Sequence, residues 1–538
     1  MSRRCLPAMG EQGDFYWTAG AQEELHLGWC EGCSCYLHPS RSHCPDCFRP
    51  AVSRAASGRG RLVSFTENHQ AWLEGHPPPY IVCLVAVEED ESIRLTSNLL
   101  IGEEGVPQIG ASVAVRFVHH EDVWLPVFAL LPSVDIRELD TAPPLCAPAI
   151  QKAGNKFEDK VILAGVGVSE VGRRLSQSEH NLTHTACLNA IADAGLSLAD
   201  IDGVCAYPGS TGLPGLSDGG VRAMAYSLGL NPLWHAGAAE TPGQTGPIIS
   251  AMLAVASGMC RHVLCFTSFS ERRRPISAIS NHGRVTGELR WQLPYGAATP
   301  VNWVALAAQH YLHKYQASRE VFAQIAVASR RNAQRNDSAL YRTQLSHEQY
   351  FDARIISSPF GLYDCDIPCD GAVAVVVSRA EMAHDLPQPP IFVDAVGTRI
   401  CEPQSWDQST ITHQPNTFGP ASHMWSRSDM NTSDVDLALL YDGFTFNVVS
   451  WLEALGFCGP GQAQDYIGDG RLFDVDGELP LNPHGGHLSA GRSNGWGHLV
   501  EAIFQLRRDA GIRQVKDASV AVVSCGGSIP ANAMLLRA

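Results

Sequence analysis

Pro483-His484-Gly485-Gly486-His487-Leu488-Ser489-Ala490-Gly491-Arg492-Ser493-Asn494-Gly495-Trp496-Gly497-His498 is the stretch on which the reading of this chain turns. Five glycines fall within the thirteen positions 485–497, and apolar residues recur at helical spacing from Leu499. Glycine permits positive φ and close backbone approach, so the pattern predicts a tight, preshaped loop feeding a helix N-terminus. Such an end offers free N–H groups and a positive dipole, which suit an oxyanion, an enolate or a phosphate. No Gly-Lys-Ser/Thr follows, which excludes a Walker loop, and no strand leads straight into it, which excludes a dinucleotide fingerprint.

Around this loop the chain repeats itself. Leu198-Ala199-Asp200-Ile201-Asp202-Gly203-Val204-Cys205-Ala206-Tyr207 matches Thr432-Ser433-Asp434-Val435-Asp436-Leu437-Ala438-Leu439-Leu440-Tyr441 column by column. Leu163-Ala164-Gly165-Val166-Gly167 is echoed by the strand Phe392-Val393-Asp394-Ala395-Val396-Gly397, and Ser519–Cys525 parallels the strand before Ser268. Amphipathic helices are expected around Trp303–Tyr315 and Val321–Gln334. A duplicated βαβ pattern predicts two parallel sheets packed back to back, with ligands beyond the carboxyl ends of their strands.

The 538 residues suggest about three domains. Apolar content of 45% with 17% charge implies a well-cored protein, and a formal charge of −16 argues against a nucleic-acid partner. The start, Met1-Ser2-Arg3-Arg4-Cys5-Leu6, lacks an apolar signal core, and no run of ~18 uncharged apolar residues is present, so no membrane span and a cytoplasmic location are expected. The 17 cysteines then read as thiols plus one metal site.

Cys30-Glu31-Gly32-Cys33 and Cys44-Pro45-Asp46-Cys47 are two CxxC knuckles ten residues apart, the pattern of a structural Zn²⁺ held by four thiolates; Cys35 is a spare thiol. Short alternating strands follow at Arg61–Phe65, Ile81–Val87, Ser112–Phe117 and Trp124–Phe128, as in a small barrel. Thr141-Ala142-Pro143-Pro144-Leu145-Cys146-Ala147-Pro148 reads as a stiffened linker. The expected division is 1–57 (leader and ribbon), 58–133 (barrel), 134–158 (linker), 159–390 and 391–538 (two α/β halves).

The glycine loop, together with Tyr441-Asp442-Gly443-Phe444-Thr445 and Leu452-Glu453-Ala454-Leu455-Gly456-Phe457-Cys458, resembles the thiolase superfamily. The branch is that of sterol-carrier-protein-type thiolases and steroid side-chain aldolases, and the resemblance covers roughly residues 159–538. The ribbon and barrel, with Phe15-Tyr16-Trp17 and Ser57-Gly58-Arg59-Gly60, resemble the rubredoxin-like zinc ribbon plus OB-fold family (domain of unknown function 35). That resemblance implies either a module that helps form an acyl-CoA pocket or a structural appendage. The fold implied is α/β: a five-layer thiolase fold behind a zinc ribbon and a small OB-fold barrel. A homodimer is implied as well.

A thiolase's attacking cysteine falls on Gly243 in Glu240-Thr241-Pro242-Gly243-Gln244-Thr245-Gly246, and no cysteine lies between Cys205 and Cys260. Its histidine falls on Arg492, and its second cysteine is retained as Cys525 in Cys525-Gly526-Gly527. Without a thiol to hold an acyl group, covalent transfer loses its intermediate. The resemblance then implies retro-aldol cleavage of a β-hydroxyacyl-CoA, with a coenzyme A thioester as substrate. Tyr441 matches a catalytic tyrosine of the steroid aldolases and is expected to transfer a proton; the bland alternative is a core tyrosine at a strand end. A second family tyrosine is replaced by Arg492, which is suited to steadying an enolate but poor at donating a proton. His484, His487 and Cys525 are further candidates, and Tyr295 is expected to line the pocket. Gly243, Gly485, Gly486 and Gly527 would contact substrate; Arg272, Arg273 and Arg274 would hold CoA phosphates or form a solvated run. The motif Asp364-Cys365-Asp366 is read as structural. A thiolase-like acyltransferase and a non-catalytic acyl-CoA or lipid carrier are the rival readings.

Overall fold

In the computed structural model, residues 4–101, 106–132, 136–137, 156–208, 220–237, 240–271, 283–402, 405–408, 419–527 and 530–538 are described. The expected linker lies largely outside them. Strands β1 (Leu25–Cys30), β2 (Cys35–Leu37) and β3 (Val52–Ala56) form the ribbon, in the order β2-β1-β3. The barrel follows as β4 (Arg59–Asn68), β5 (Tyr80–Val87), β6 (Asp90–Leu100), β7 (Ser112–His120) and β8 (Val123–Leu130). It closes because β4 pairs with both β5 and β7, while β6 meets β8 in parallel. Four of these strands are expected from the sequence. The fifth, β6, opens on the acidic run Glu88-Glu89-Asp90-Glu91, which hides its later alternation.

The first α/β half contains β9 (Val161–Val168), α1 (Glu179–Asp193), β10 (Gly203–Tyr207), α2 (Gly220–Leu228), β11 (Trp234–Gly237), α3 (Gly246–Ala256) and β12 (His262–Phe269). Helices α4 (Pro300–Lys314) and α5 (Glu320–Ala333), then β13 (Ile355–Ser357) and β14 (Gly371–Arg379), complete it. The second half supplies β15 (Ile391–Gly397), α6 (Gly419–Ser426), β16 (Leu437–Leu439), α7 (Thr445–Leu455), α8 (Trp496–Arg507), β17 (Val520–Cys525) and β18 (Asn532–Arg537).

The halves do not form two separate parallel sheets. They make one mixed sheet of nine strands, β11-β10-β12-β14-β9-β15-β18-β17-β16, joined where Ile162 and Leu163 face Phe392 and Ile391. β14 runs antiparallel to both its neighbours, and β18 does the same in the other half. The strand order is therefore mirrored about the β9–β15 joint, as a duplication requires.

Alternation along the strands sets the layers. Val373, Val375 and Val377 face one apolar core with Leu437, Leu439, Ala521 and Val523, and α3 and α8 fill that core between the two half-sheets. Ala372, Ala374 and Val376 face α1 and α2 instead, while Ala438, Leu440, Val522 and Leu535 face α5, α6 and α7. Helix, sheet, helix, sheet, helix: five layers result.

The barrel is fastened to this body along β4. Ser357 of β13 pairs with Asn68, the hydroxyl of Ser64 donates to the carbonyl of Leu306 (2.6 Å), and that of Thr66 to the carbonyl of Ser358 (2.6 Å). Thr96 donates to Asp407 (3.0 Å), and Trp303 and Trp406, stacked on each other, pack against Val63, Val82 and Leu84 of the barrel. Among the described residues no helix is long and apolar enough to cross a membrane.

Candidate active site

The two central helices bring their N-termini together. α3 starts behind Gly243-Gln244-Thr245 and α8 behind Gly495, and the indole N–H of Trp496 donates to the carbonyl of Gln244 (2.9 Å). Gly243 has φ +63° and Gly495 φ +77°; a Cβ on Gly495 would lie 2.5 Å from Sγ of Cys525. Asn532 steadies the Gly243 loop, donating to the carbonyl of Pro242 and to the hydroxyl of Thr245.

Cys525 ends β17 fully buried, and its thiol donates to Oε1 of Gln244. Burial pushes this thiol up to about 11, with the Thr245 hydroxyl and the N–H groups of Thr245, Gln244 and Gly526 offsetting only part. Its thiolate fraction at neutral pH is on the order of 10⁻⁴. Gly526 and Gly527 are held from outside, their carbonyls accepting the indole N–H of Trp451 (2.9 Å) and the amide of Asn447 (2.9 Å).

Tyr441 lies just past β16, its N–H donating to the hydroxyl of Ser524 (2.9 Å), its half-buried ring edge-on to His487 (centroids 5.1 Å) and above Gly443. Burial drives the phenol well above its ordinary range, the nearby Asp366 and Cys525 add to this, and Arg492 opposes it. The hydroxyl therefore stays protonated at neutral pH and is a donor, not a phenolate.

Arg492 grips Asp366 through two parallel bonds, Nε to Oδ2 (2.6 Å) and Nη2 to Oδ1 (2.5 Å). Their backbones are pinned as well: Arg492 N–H donates to Ile367 (2.8 Å), Asp366 N–H to Gly443 (3.0 Å). Burial alone would lower the guanidinium's pKa, but Asp366 more than offsets this, and the side chain is a permanent cation that stays 34% exposed. Asp364, by contrast, is fully buried and accepts from Tyr350, Thr445 and the N–H of Gly361, a structural clamp. Asp366, two residues on, belongs to the site; nothing in its local sequence distinguishes it from Asp364.

Beneath Tyr441 lies Asp442, 1% exposed, accepting from Nε2 of His498 (2.9 Å) and from the N–H groups of His487 (2.8 Å) and Leu488 (3.3 Å). Gly486 is required there, since a Cβ would fall 1.9 Å from that carboxylate, and Gly485 (φ +99°) passes tightly over Ala333. His484 packs on His498 (5.1 Å), a layer behind Tyr441, and burial holds both His484 and His487 neutral, His487 at about 3.

Two expectations change. Tyr295 does not join this cluster: its ring is buried with Tyr16, Trp17 and Trp291 in the core between leader and barrel, because an aromatic group there completes that apolar seam. The first N–H groups of α8 are not open to a ligand either, since Gly495 N–H donates to Nε2 of His487 (3.0 Å) and Gly497 N–H to the hydroxyl of Ser493 (3.0 Å). Arg272, Arg273 and Arg274 lie outside the described residues.

In the ribbon, Sγ of Cys30 is 3.4 Å from that of Cys47 and Sγ of Cys44 is 3.8 Å from that of Cys33. All four sulfurs lie within 4.8 Å of one another. A tetrahedron of sulfurs around Zn²⁺ has edges of about 3.8 Å, so the four thiols fit that ion.

A duplicated five-layer α/β fold of this kind defines a member of the thiolase superfamily. Residues 406–536 match the Thiolase C-terminal domain-like family, and residues 53–118 match the family described as ChsH2, C-terminal OB-fold domain. The chain is 33% identical over 389 residues to the steroid side-chain-cleaving aldolase of Thermomonospora curvata, covering 70% of this chain and 97% of that protein. It is 31% identical over 391 residues to the 17-hydroxy-3-oxo-4-pregnene-20-carboxyl-CoA lyase of Mycobacterium tuberculosis, covering 70% and 98%. The solved Ltp2-ChsH2(DUF35) aldolase superposes with a TM-score of 0.63 at 31% identity, over 71% of this chain and 99% of that one. The chain belongs to the steroid side-chain-cleaving aldolases, carbon–carbon lyases of the thiolase superfamily.

Proposed function

We propose that this aldolase splits a β-hydroxyacyl-CoA, its hydroxyl on a tertiary carbon of a steroid side chain, into a ketone and a shorter acyl-CoA. The observation that carries the reading is the protonated Tyr441 near Arg492, whose side chain is 34% exposed. Arg492 holds the thioester oxygen. The hydroxyl proton passes to Asp366 as the Cα–Cβ bond breaks. Its electron pair moves onto the thioester as an enolate while the hydroxyl carbon becomes the ketone. A carboxylate suffices as acceptor, because the departing hydroxyl becomes strongly acidic as the C=O forms. Tyr441 then protonates the enolate carbon, giving the acyl-CoA, and the proton held by Asp366 returns to the Tyr441 oxygen to reset the site. His484, His487 and Cys525 form the walls rather than the acid. Gly243 and Gly527 admit the substrate, with Arg272, Arg273 and Arg274 assigned to its phosphates, while Gly485 and Gly486, packed on Ala333 and Asp442, shape the loop instead of contacting substrate.

Cys30, Cys33, Cys44 and Cys47 are assigned to a structural Zn²⁺, which would cross-link the ribbon when bound. The divisions 1–57, 58–133, 134–158, 159–390 and 391–538 are retained as domains. A homodimer is supported by the outer edge strand β11 and the exposed Tyr226, Leu233, Leu253 and Met259 around it. A cytoplasmic location fits the sixteen described cysteines, all free thiols.

The test is a panel of β-hydroxyacyl-CoA thioesters assayed for ketone release. Ketone formation that falls at least a hundredfold in Tyr441→Phe supports the reading. CoA-dependent acyl exchange, or tight binding without turnover, sinks it.

A further inference from the structure

The buried group under Tyr441 is not used by the chemistry above. Asp442, His487 and His498 are 0–1% exposed, and one ligand atom from each lies within 4.8 Å of the others. That is the spread of a two-histidine, one-carboxylate metal triad. The hydrogen bonds decide otherwise. Nε2 of His487 accepts the N–H of Gly495 (3.0 Å) and lies 3.2 Å from the hydroxyl of Ser493. The ring's own proton is therefore on Nδ1, the atom turned towards Asp442 at 4.0 Å and the one a metal would need bare. His498 likewise spends its Nε2 proton on Asp442.

We infer that Asp442 and His487 are positioning residues for the aldol cleavage, an inference that rests on the role proposed for Tyr441. Asp442 takes the N–H groups of His487 and Leu488 and so fixes the wide turn Gly486–Ala490, a single π-helical turn of the sort that recurs at functional sites. The turn presents the His487 ring edge-on to Tyr441, while its far nitrogen ties down the start of α8. One imidazole thus sets the phenol and the Gly491–Gly495 loop that carries Arg492. The charged groups facing it are Asp442 and Arg492, with His498 packed at 4.6 Å.

The experiment compares His487→Gln with His487→Phe in the full chain, on a thioester the wild type cleaves. Glutamine keeps an acceptor for Gly495; phenylalanine keeps only the ring. The expected result is kcat within about threefold of wild type for glutamine, and at least tenfold lower for phenylalanine with KM little changed. Histidine-selective NMR of the wild-type chain, with the His487 signal identified by its loss in His487→Gln, should show the Nδ1–H tautomer, a readout that survives even if His487→Phe fails to fold. Equal rates for the two variants, an Nε2–H tautomer, or a second metal per chain lost in His498→Ala overturn the inference. An active Tyr441→Phe would instead strike at the reaction proposed above.

Discussion

The thiol of Cys525 donates its proton to Oε1 of Gln244 across 3.1 Å, so the sulfur beside Gly243 is already engaged. Burial raises it to about 11, which favours a structural donor over a nucleophile. Serine keeps that bond. Cys525→Ser is expected to retain kcat within about threefold, with no acyl adduct on the wild-type chain by mass spectrometry during turnover. An adduct at Cys525 would turn the enzyme into an acyl-transfer catalyst.

Restoring a cysteine at Gly243 is expected to fail. The residue sits at φ +63°, and its Cβ would lie 2.8 Å from the carbonyl oxygen of Cys525 and 2.9 Å from Nδ2 of Asn532. Gly243→Cys should cost about 1–3 kcal/mol and lower Tm without producing acyl exchange. Appearance of exchange activity would show that the loop can remodel.

Glu453 gives a pH dependence of stability. It is buried on α7, accepts the Tyr311 hydroxyl (2.6 Å) and the N–H of Gly461 (3.0 Å), and burial raises it from the usual 4.5 to about 7. Because the folded value exceeds the unfolded one, its stabilising contribution is full below about pH 4.5 and is lost as pH rises through about 7. The change is about 3 kcal/mol. Glu453→Gln should gain on the wild type in Tm between pH 5 and pH 8; parallel curves would remove this assignment.

The ribbon's contribution can be read by removing its metal. Leu25, Leu27 and Tyr36 of the ribbon pack in one core with barrel residues Leu62, Val85 and Phe128. Elemental analysis should find one zinc per chain, and a strong chelator should lower Tm and loosen the barrel. Protein purified without chelator and found free of zinc would refute the site.

Much of this site was legible because its constraints are local and steric. Gly485, Gly486 and Gly495 each stand where the backbone turns left-handed and no Cβ fits, which any reader of the loop can see. The cysteine knuckles declare themselves by spacing, and the repeat Leu198–Tyr207 against Thr432–Tyr441 marks two equivalent strands. What stayed hidden depends on distant partners. Tyr295 owes its burial to Tyr16 and Trp17, and Leu-Pro-Tyr-Gly alone says nothing of them. The partnership of Asp366 with Arg492 joins positions 126 residues apart. The same holds for the joint at Ile162–Phe392, whose register no single strand encodes. The helix start at Gly495 looks open in the sequence because nothing local reveals that His487 takes its N–H.

The seam between β4 and β13 has a consequence for how the chain behaves when cut. Backbone pairing at Asn68–Ser357, the hydroxyl contacts of Ser64 and Thr66, and the bond from Thr96 to Asp407 all cross it without help from the peptide between residues 137 and 156. A proteolytic nick in that stretch would therefore leave two fragments that still travel as a single particle and part only in denaturant.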